Sequence, residues 1–177
     1  MLQHQFIEID GVERIEKYVV GGFHPIKLGD QLNDGRYTIV HKLGHGGFST
    51  TWLAWDKKEK RYGAIKVVMA AAPGFSRERE IRLHLNHVVD SHLGGKYVQR
   101  LLDHFLENGP NGSHQCFVSV PGGCSVRESK DLCGGLWMFP LEVTRAIAAQ
   151  MILGTAFLHA QGIAHGGMEV LLSAIQS

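Results

Sequence analysis

The sequence has no large excess of charge of either sign and no long apolar run near its start. Its 18 basic and 17 acidic side chains give a formal net charge of +1, so no strong global field attracts nucleic acid or an anionic membrane. The first residues, MLQHQFIEIDGVERIEKY, have scattered charges and no apolar core, so we expect no secretory signal. The longest apolar region, AIAAQMILGTAFL (146–158), is predicted to be too short and too interrupted to span a bilayer. These absences predict neither a membrane partner nor direct nucleic-acid binding.

The sequence also lacks a metal-binding or disulfide pattern. Its 3 cysteines, Cys116, Cys124 and Cys133, match neither a CxxC knuckle nor a small disulfide framework. We therefore expect reduced thiols and a cytoplasmic or nuclear location. Of the 11 histidines, His84 and His87 have no cysteine or carboxylate cluster at ligand spacing, so no metal site is predicted.

The chain has enough apolar residues to form a core and alternates between strand-like and helix-like segments. It has 177 residues, of which 44% are hydrophobic. The β-branched and aromatic content predicts strands in RYTIVHKLG, TTWLAWD, YGAIKVVMA, YVQRLLDHFLEN and SHQCFVSV. Helices are predicted in SREREIRLHLNHV, with Ser76 as N-cap, and from about Leu141 to His159. The order β, β, β, α, β, β, α indicates an α+β fold.

A glycine cluster separates the first two predicted strands. KLGHGGFSTTWLAWD (42–56) places Gly44, Gly46 and Gly47 within four positions. Such a cluster indicates either a plain hairpin turn or a backbone to which another group comes close. A dinucleotide-binding turn is a third alternative, but it requires a helix after the glycines and a further glycine where Ser49 stands.

A single cation lies within the third predicted strand. Lys66 is flanked by apolar residues in AIKVV, and burying an ammonium without an anion is costly. Glu80, on the following helix, is the natural internal partner, and a lysine beside a glycine turn suits phosphate binding. The alternative is that Lys66 extends to solvent from an edge strand.

Together, the glycine turn, Lys66, Glu80 and the strand order resemble the N-terminal lobe of a eukaryotic protein kinase. GGFHPIKLGDQLNDGRYTIVHKLGHGGFSTTWLAWD (21–56) closely resembles the serine/arginine-protein kinase family, and EIRLHL (80–85) and GSHQCFV (112–118) are similar to it as well. The resemblance runs from about residue 18 to 166. It includes Ser49, which this family uses in its glycine loop.

The resemblance implies a domain organisation. It predicts an extended leader over 1–35 and a kinase N-lobe over 36–121, with a five-stranded antiparallel sheet, one helix and a glycine-rich loop. A hinge and the first helices of an incomplete C-lobe would follow over 122–177. The apolar face of the long helix would then be exposed, and we expect aggregation or a protein partner that covers it.

The resemblance also implies a nucleotide site for ATP with Mg²⁺, and Arg-Ser-rich proteins as substrates. Glycines of the loop would cover the phosphates, a strand alanine would pack on adenine, and Lys66, held by Glu80, would bind the α and β phosphates. Val120 falls near the hinge, although Pro121 beside it has no N–H to offer. The residues implied in nucleotide binding are Leu43, Gly44, Gly46, Ala64, Lys66, Glu80 and Val120.

The last segment, HAQGIAHGGMEVLLSAIQS, departs from the family pattern. Gly167 stands at the expected position of the catalytic aspartate, so no catalytic residue is predicted. The asparagine and DFG segment that would bind Mg²⁺ do not occur before Ser177. Two hypotheses remain: a chain of a phosphotransferase lineage, or a non-catalytic product such as a kinase fragment, pseudokinase or scaffold.

Overall fold

The computed structural model describes residues 12–72, 75–123 and 138–164. Its strands are β1 (Gln31–Leu32), β2 (Tyr37–His45), β3 (Ser49–Asp56), β4 (Arg61–Val68), β5 (Leu101–Gly109) and β6 (Gly112–Ser119). Its α-helices are α1 (Phe75–Val88) and α2 (Leu141–Ala160). The α+β class is confirmed, and the strands form one sheet in the order β1-β2-β3-β4-β6-β5.

The sheet has one strand more than was predicted. β1 has two residues and pairs antiparallel with β2, through Gln31 with Thr38 and Leu32 with Tyr37. The intervening turn contains Asn33 and Asp34 at positive φ, a conformation that short polar side chains tolerate. A two-residue strand is too short to show a period of two, which explains why the sequence pattern did not indicate it.

Two predicted boundaries are wrong. α1 begins at Phe75, so Ser76 lies in its first turn and not at the N-cap. β5 begins at Leu101, because Gly95–Tyr97 forms a 3-10 helix instead of continuing as strand. The backbone N–H of Leu101 donates to Oδ1 of Asn86 at 3.0 Å, so a helix side chain satisfies the first amide of the strand.

The chain divides into two compact units. The first comprises Met1–Phe75 and Asp103–Val118, and the second comprises Ser76–Leu102 and Ser119–Ser177. The core of the first unit lies on one face of the sheet, where β3 alternates buried and half-buried side chains. Its fully or nearly fully buried side chains include Phe23, Tyr37, Ile39, Ala54, Ile65, Val67 and Phe117.

In the described part of the second unit, a core forms around α1 and α2. It consists of Leu85, Val89, Val98, Phe157 and Leu158. Gly94 packs directly against α2, where an added Cβ would lie 1.9 Å from a helix carbonyl oxygen.

Much of α2 is exposed, as the sequence predicted. Leu141 and Ile152 expose 61% and 68% of their surface. The helix runs for 20 residues, longer than the apolar region predicted from sequence, and by length and composition alone it could cross a membrane. Core helices of soluble proteins pass the same test, so this finding is weak support for a membrane span.

Candidate functional site

The glycine segment forms the turn of the β2–β3 hairpin. The N–H of Gly46 donates to the carbonyl of Ser49 at 2.7 Å and closes the turn. A strand follows at once, so the dinucleotide-binding alternative, which needs a helix there, is wrong. A Cβ built on Gly44 or Gly47 would meet no atom within 4 Å, so the backbone of the loop is open to a group that comes close.

A β-bulge decides which face of the sheet Gly44 occupies. Lys42 pairs with Trp52 and Gly44 pairs with Thr51, so Leu43 is an extra, unpaired residue of β2. With regular pairing, Leu43 would lie opposite Thr51 and Gly44 would move to the buried face. The bulge thus places Gly44 on the half-buried face and leaves Leu43 45% exposed.

The register of β4 brings Lys66 to the same line across the sheet. Thr51 pairs with Gly44 on one side and with Lys66 on the other. Since directly opposed residues of antiparallel strands share a face, Lys66 lies on the half-buried face with Thr51. β4 lies between β3 and β6, so the edge-strand explanation for Lys66 does not apply.

Ala64 lies on this face as well, one alternation along β4 from Lys66. It pairs with Leu53 and is 6% exposed. The first unit therefore brings together four of the predicted residues, Gly44, Gly46, Ala64 and Lys66, with Leu43 at the bulge beside them.

Sequence reasoning missed Thr51, which links the loop to the lysine strand. In TTWLAWD both alternating sets contain apolar residues, so the sequence did not show which set faces the core. The structure places Thr50, Trp52 and Ala54 in the core. Thr51 is the second residue after Ser49, which closes the turn, and its place between Gly44 and Lys66 depends on the register of the three strands.

Two predicted site residues belong to the second unit. Glu80 lies on α1 and is exposed. Val120 follows β6 and is 55% exposed, and its carbonyl accepts a hydrogen bond from the side-chain amide of Gln99 at 3.3 Å.

A charged network holds the open end of the same hairpin, opposite the glycine turn. The guanidinium of Arg36 donates two hydrogen bonds to the carboxylate of Asp56, at 3.0 and 2.8 Å, and a third to Asp103 at 2.7 Å. The backbone N–H groups of Lys58 and Glu59 also donate to Asp56. The hydrogen bonds from Arg36 are the main reason that the pKa of Asp56 is lowered to about 2. The network fixes the base of the hairpin.

The predicted catalytic-loop position lies outside the described residues, as does the whole segment from His165 to Ser177. In the described part of the chain, no group of three or more His, Cys, Asp or Glu side chains could hold a metal ion.

Comparisons with known proteins identify the relatives of this chain. No family model matches. The chain is 36% identical over 178 aligned positions to "Protein kinase dsk1" of Schizosaccharomyces pombe, covering 92% of this chain and 32% of that protein. It is 39% identical over 150 positions to human "SRSF protein kinase 3", covering 80% of this chain and 25% of the relative. "Serine/threonine-protein kinase SRPK" of Physarum polycephalum is 36% identical, with 83% and 34% covered. The chain thus spans about a third or less of these relatives.

The fold has a counterpart among solved structures. The crystal structure of the PF14_0431 kinase domain superposes with a TM-score of 0.67 at 21% identity, covering 85% of this chain and 43% of that one. This likeness confirms the predicted fold: a kinase-like N-lobe followed by the beginning of a C-lobe.

Proposed function

Because this chain is a homologue of the serine/arginine-protein kinases and has the fold of a kinase N-lobe, we propose that its first unit binds the phosphates of ATP. Gly44 and Gly47 supply open backbone at the glycine turn, Gly46 closes the turn by its hydrogen bond to Ser49, and Lys66 supplies the cation.

One observation carries the proposal: Gly44, Thr51 and Lys66 lie in line across three adjacent strands, on one face of the sheet. Two strand spacings, roughly 10 Å, separate the backbones of Gly44 and Lys66. A lysine side chain reaches over about half that distance. A phosphate chain bound against this face would therefore contact the ammonium and the loop backbone together.

The residues present fit such a ligand. The space beside Gly44 and Gly47 is free of other atoms, and a side chain at either position would fill part of it. Backbone amides of a glycine turn and a lysine ammonium are donors suited to phosphate oxygens. Small, buried Ala64 leaves room for a planar base beside Leu53. The roles given to Leu43, Glu80 and Val120 rest on the family resemblance alone.

The test is a titration of the chain with a fluorescent ATP analogue, with and without Mg²⁺. We expect saturable binding that Lys66→Ala weakens at least tenfold, since hydrogen bonds to charged groups contribute about 1.5–3 kcal/mol each. Lys57→Ala is the matched control, because Lys57 is exposed just beyond β3. Equal binding by Lys66→Ala and the unsubstituted chain would overturn the proposal.

We further propose that this chain by itself binds nucleotide without transferring phosphate, as a pseudokinase or scaffold module would. Gly167 stands where the resemblance expects a catalytic aspartate, and glycine has no side chain to accept a proton from a substrate hydroxyl. Transfer of γ-phosphate to an Arg-Ser repeat peptide would be measured beside the Lys66→Ala variant. Turnover that depends on Lys66 would overturn this second proposal and establish an active kinase.

The partners and location follow from the same lineage. We propose that the chain binds Arg-Ser-rich proteins, which the resemblance implies as substrates, or a protein partner that covers the exposed face of α2. We also propose a cytoplasmic or nuclear location, because the cysteine spacing matches no disulfide framework. Sedimentation of the purified chain tests the α2 surface, since a well-behaved monomer would contradict the need for a partner.

A further inference from the structure

A side chain from the segment before the sheet contacts the glycine turn directly. Of the predicted leader (1–35), residues 12–30 are described and precede the sheet, and "leader" below means these residues. The ammonium of Lys17 donates a hydrogen bond to the carbonyl of Gly47 at 2.8 Å. Its nitrogen also lies 5.7 Å from the ring centroid of Phe48 and 5.8 Å from that of Phe23. Both rings are within the range of a cation–π interaction, so one leader residue holds the backbone and a side chain of the turn.

The leader itself fixes the position of Lys17. Ile15–Lys17 forms a 3-10 helix, and the N–H of Phe23 donates back to the carbonyl of Lys17 at 2.8 Å. Gly22 lies inside this closed loop, where an added Cβ would approach the carbonyl oxygen of Lys17 to 1.8 Å. Only glycine fits there, so the backbone position of Lys17 depends on the absence of a side chain at residue 22.

Further contacts anchor this loop of the leader to the sheet. Gly21 donates to the carbonyl of Asn111 at 2.7 Å, and its own carbonyl accepts from Ala71 at 2.8 Å. The side-chain amide of Asn111 donates to the carbonyl of Phe23 at 2.6 Å, and Phe23 is 1% exposed. These hydrogen bonds to the turn after β4 and to the β5–β6 turn fix the position of the leader on the first unit.

A second ionic contact joins the leader to the strand that enters the turn. Buried Glu13 accepts hydrogen bonds from the ammonium of Lys42 and the hydroxyl of Tyr18. Burial opposes the charge on Glu13, but the hydrogen bonds from Lys42, Tyr18 and the backbone, together with the positive charge of Lys42, outweigh it and lower the pKa of the carboxyl. Lys42 lies two residues before Gly44, so the leader holds the hairpin on both sides of the open backbone.

A contact that fixes the backbone has its largest effect on a glycine-rich turn, because glycine has the most conformational entropy to lose. Gly46 and Gly47 have more accessible backbone conformations than other residues, and a ligand that fixes them must offset that entropy. The contact of Lys17 with the carbonyl of Gly47 restricts the turn before any ligand binds. It does so without filling the space beside the Gly47 Cα, where an added Cβ would meet nothing within 4 Å.

We infer that Lys17 is a positioning residue that holds the glycine turn in a conformation ready for a nucleoside triphosphate. The inference rests on the proposed function for its ligand, but the restriction of the turn is a property of the free chain. Lys17 acts through the turn and has no role in the chemistry of transfer.

The experiment compares Lys17→Met, which keeps the apolar stem and removes the donor, with Lys17→Arg, which restores a cation and N–H donors. Lys27→Met is the control, an exposed lysine of the same leader. Affinities for an ATP analogue and for adenosine are measured on each. We expect Lys17→Met to weaken ATP binding roughly three- to tenfold, adenosine binding to stay unchanged, and Lys17→Arg to restore most of the loss.

Hydrogen exchange of the amides of 44–49 is then measured without any ligand. We expect roughly fivefold faster exchange in Lys17→Met and no change in Lys27→Met. Unchanged exchange would overturn the inference, whatever the affinities. If neither the unsubstituted chain nor any variant binds ATP, the proposed function fails, and faster exchange still establishes the positioning of the turn. Should Lys17→Met fold poorly, Lys17→Gln provides the same two measurements.

Discussion

Replacing Asp56 by asparagine should remove a definite part of the stability of the first unit. Asp56 is 4% exposed and accepts two hydrogen bonds from Arg36, which are the main reason that its pKa lies at about 2 instead of the ordinary 3.8. Each pKa unit corresponds to about 1.4 kcal/mol, so the native environment of the carboxylate contributes about 2 kcal/mol at neutral pH.

The sign of the pH dependence follows from the lowered pKa. The contribution is fully present above the unfolded pKa, near 4, and it is lost as the pH falls towards 2. Asp56→Asn should therefore lower the free energy of unfolding by about 2 kcal/mol at pH 7, and the difference from the unsubstituted chain should shrink between about pH 4 and pH 2.

Urea unfolding followed by tryptophan fluorescence measures both quantities. Glu59→Gln is the matched control, since this neighbouring carboxylate is exposed to solvent and its replacement should change stability by less than about 0.5 kcal/mol. A difference for Asp56→Asn below that value at pH 7, or one that does not vary with pH, would refute the reasoning from the Arg36 network.

Three further results are expected. Burial is the main reason that the pKa of His24 is lowered, so the fold favours the neutral imidazole. The free energy of unfolding should therefore decrease as the pH falls below about 6.5. A denaturation midpoint that stays constant from pH 7 to 5 would contradict this prediction. Burial raises the pKa of the Cys116 thiol, so in a variant whose other two cysteines are serine we expect reaction with a thiol reagent only after unfolding; rapid native labelling would disprove this. Gly94→Ala should destabilise the second unit by about 3 kcal/mol in urea titrations, whereas Gly122→Ala, with open space at its Cβ, should not; equal stability of the two variants would contradict the close packing at α2.

The sequence predicted the elements of the sheet better than their pairing. Runs of β-branched and aromatic residues located the hairpin and β4, and the cluster of Gly44, Gly46 and Gly47 located its turn, because these signals are local. The bulge at Leu43 is not a local signal, since it depends on how β2 and β3 compete for pairs. The sequence therefore named Gly44 and Lys66 separately, and only the register showed that they share a line.

The leader was predicted as extended chain with turns, and its contacts with the glycine turn were not foreseen. Lys17 and Gly47 are 30 residues apart, and nothing in the pattern around either residue indicates the other. The same holds for Asn111, whose hydrogen bond to the backbone carbonyl of Phe23 joins residues 88 positions apart. Long-range hydrogen bonds of this kind are set by the packed fold and leave no periodic trace.

The two bulges of β2 give this strand a tolerance to changes in length that its neighbours lack. Besides Leu43, Val40 is unpaired, because Ile39 pairs with Ala54 and His41 with Leu53. Deleting Leu43 would leave every existing partner of β2 in place and make the pairing continuous from His41 to His45. β3 pairs with β4 without interruption from Ser49 to Asp56, so a deletion there must reverse the facing of all residues on one side of it. The first strand of this hairpin can therefore lose one residue without moving Gly44 from Thr51, whereas a one-residue deletion in the second strand would change the register.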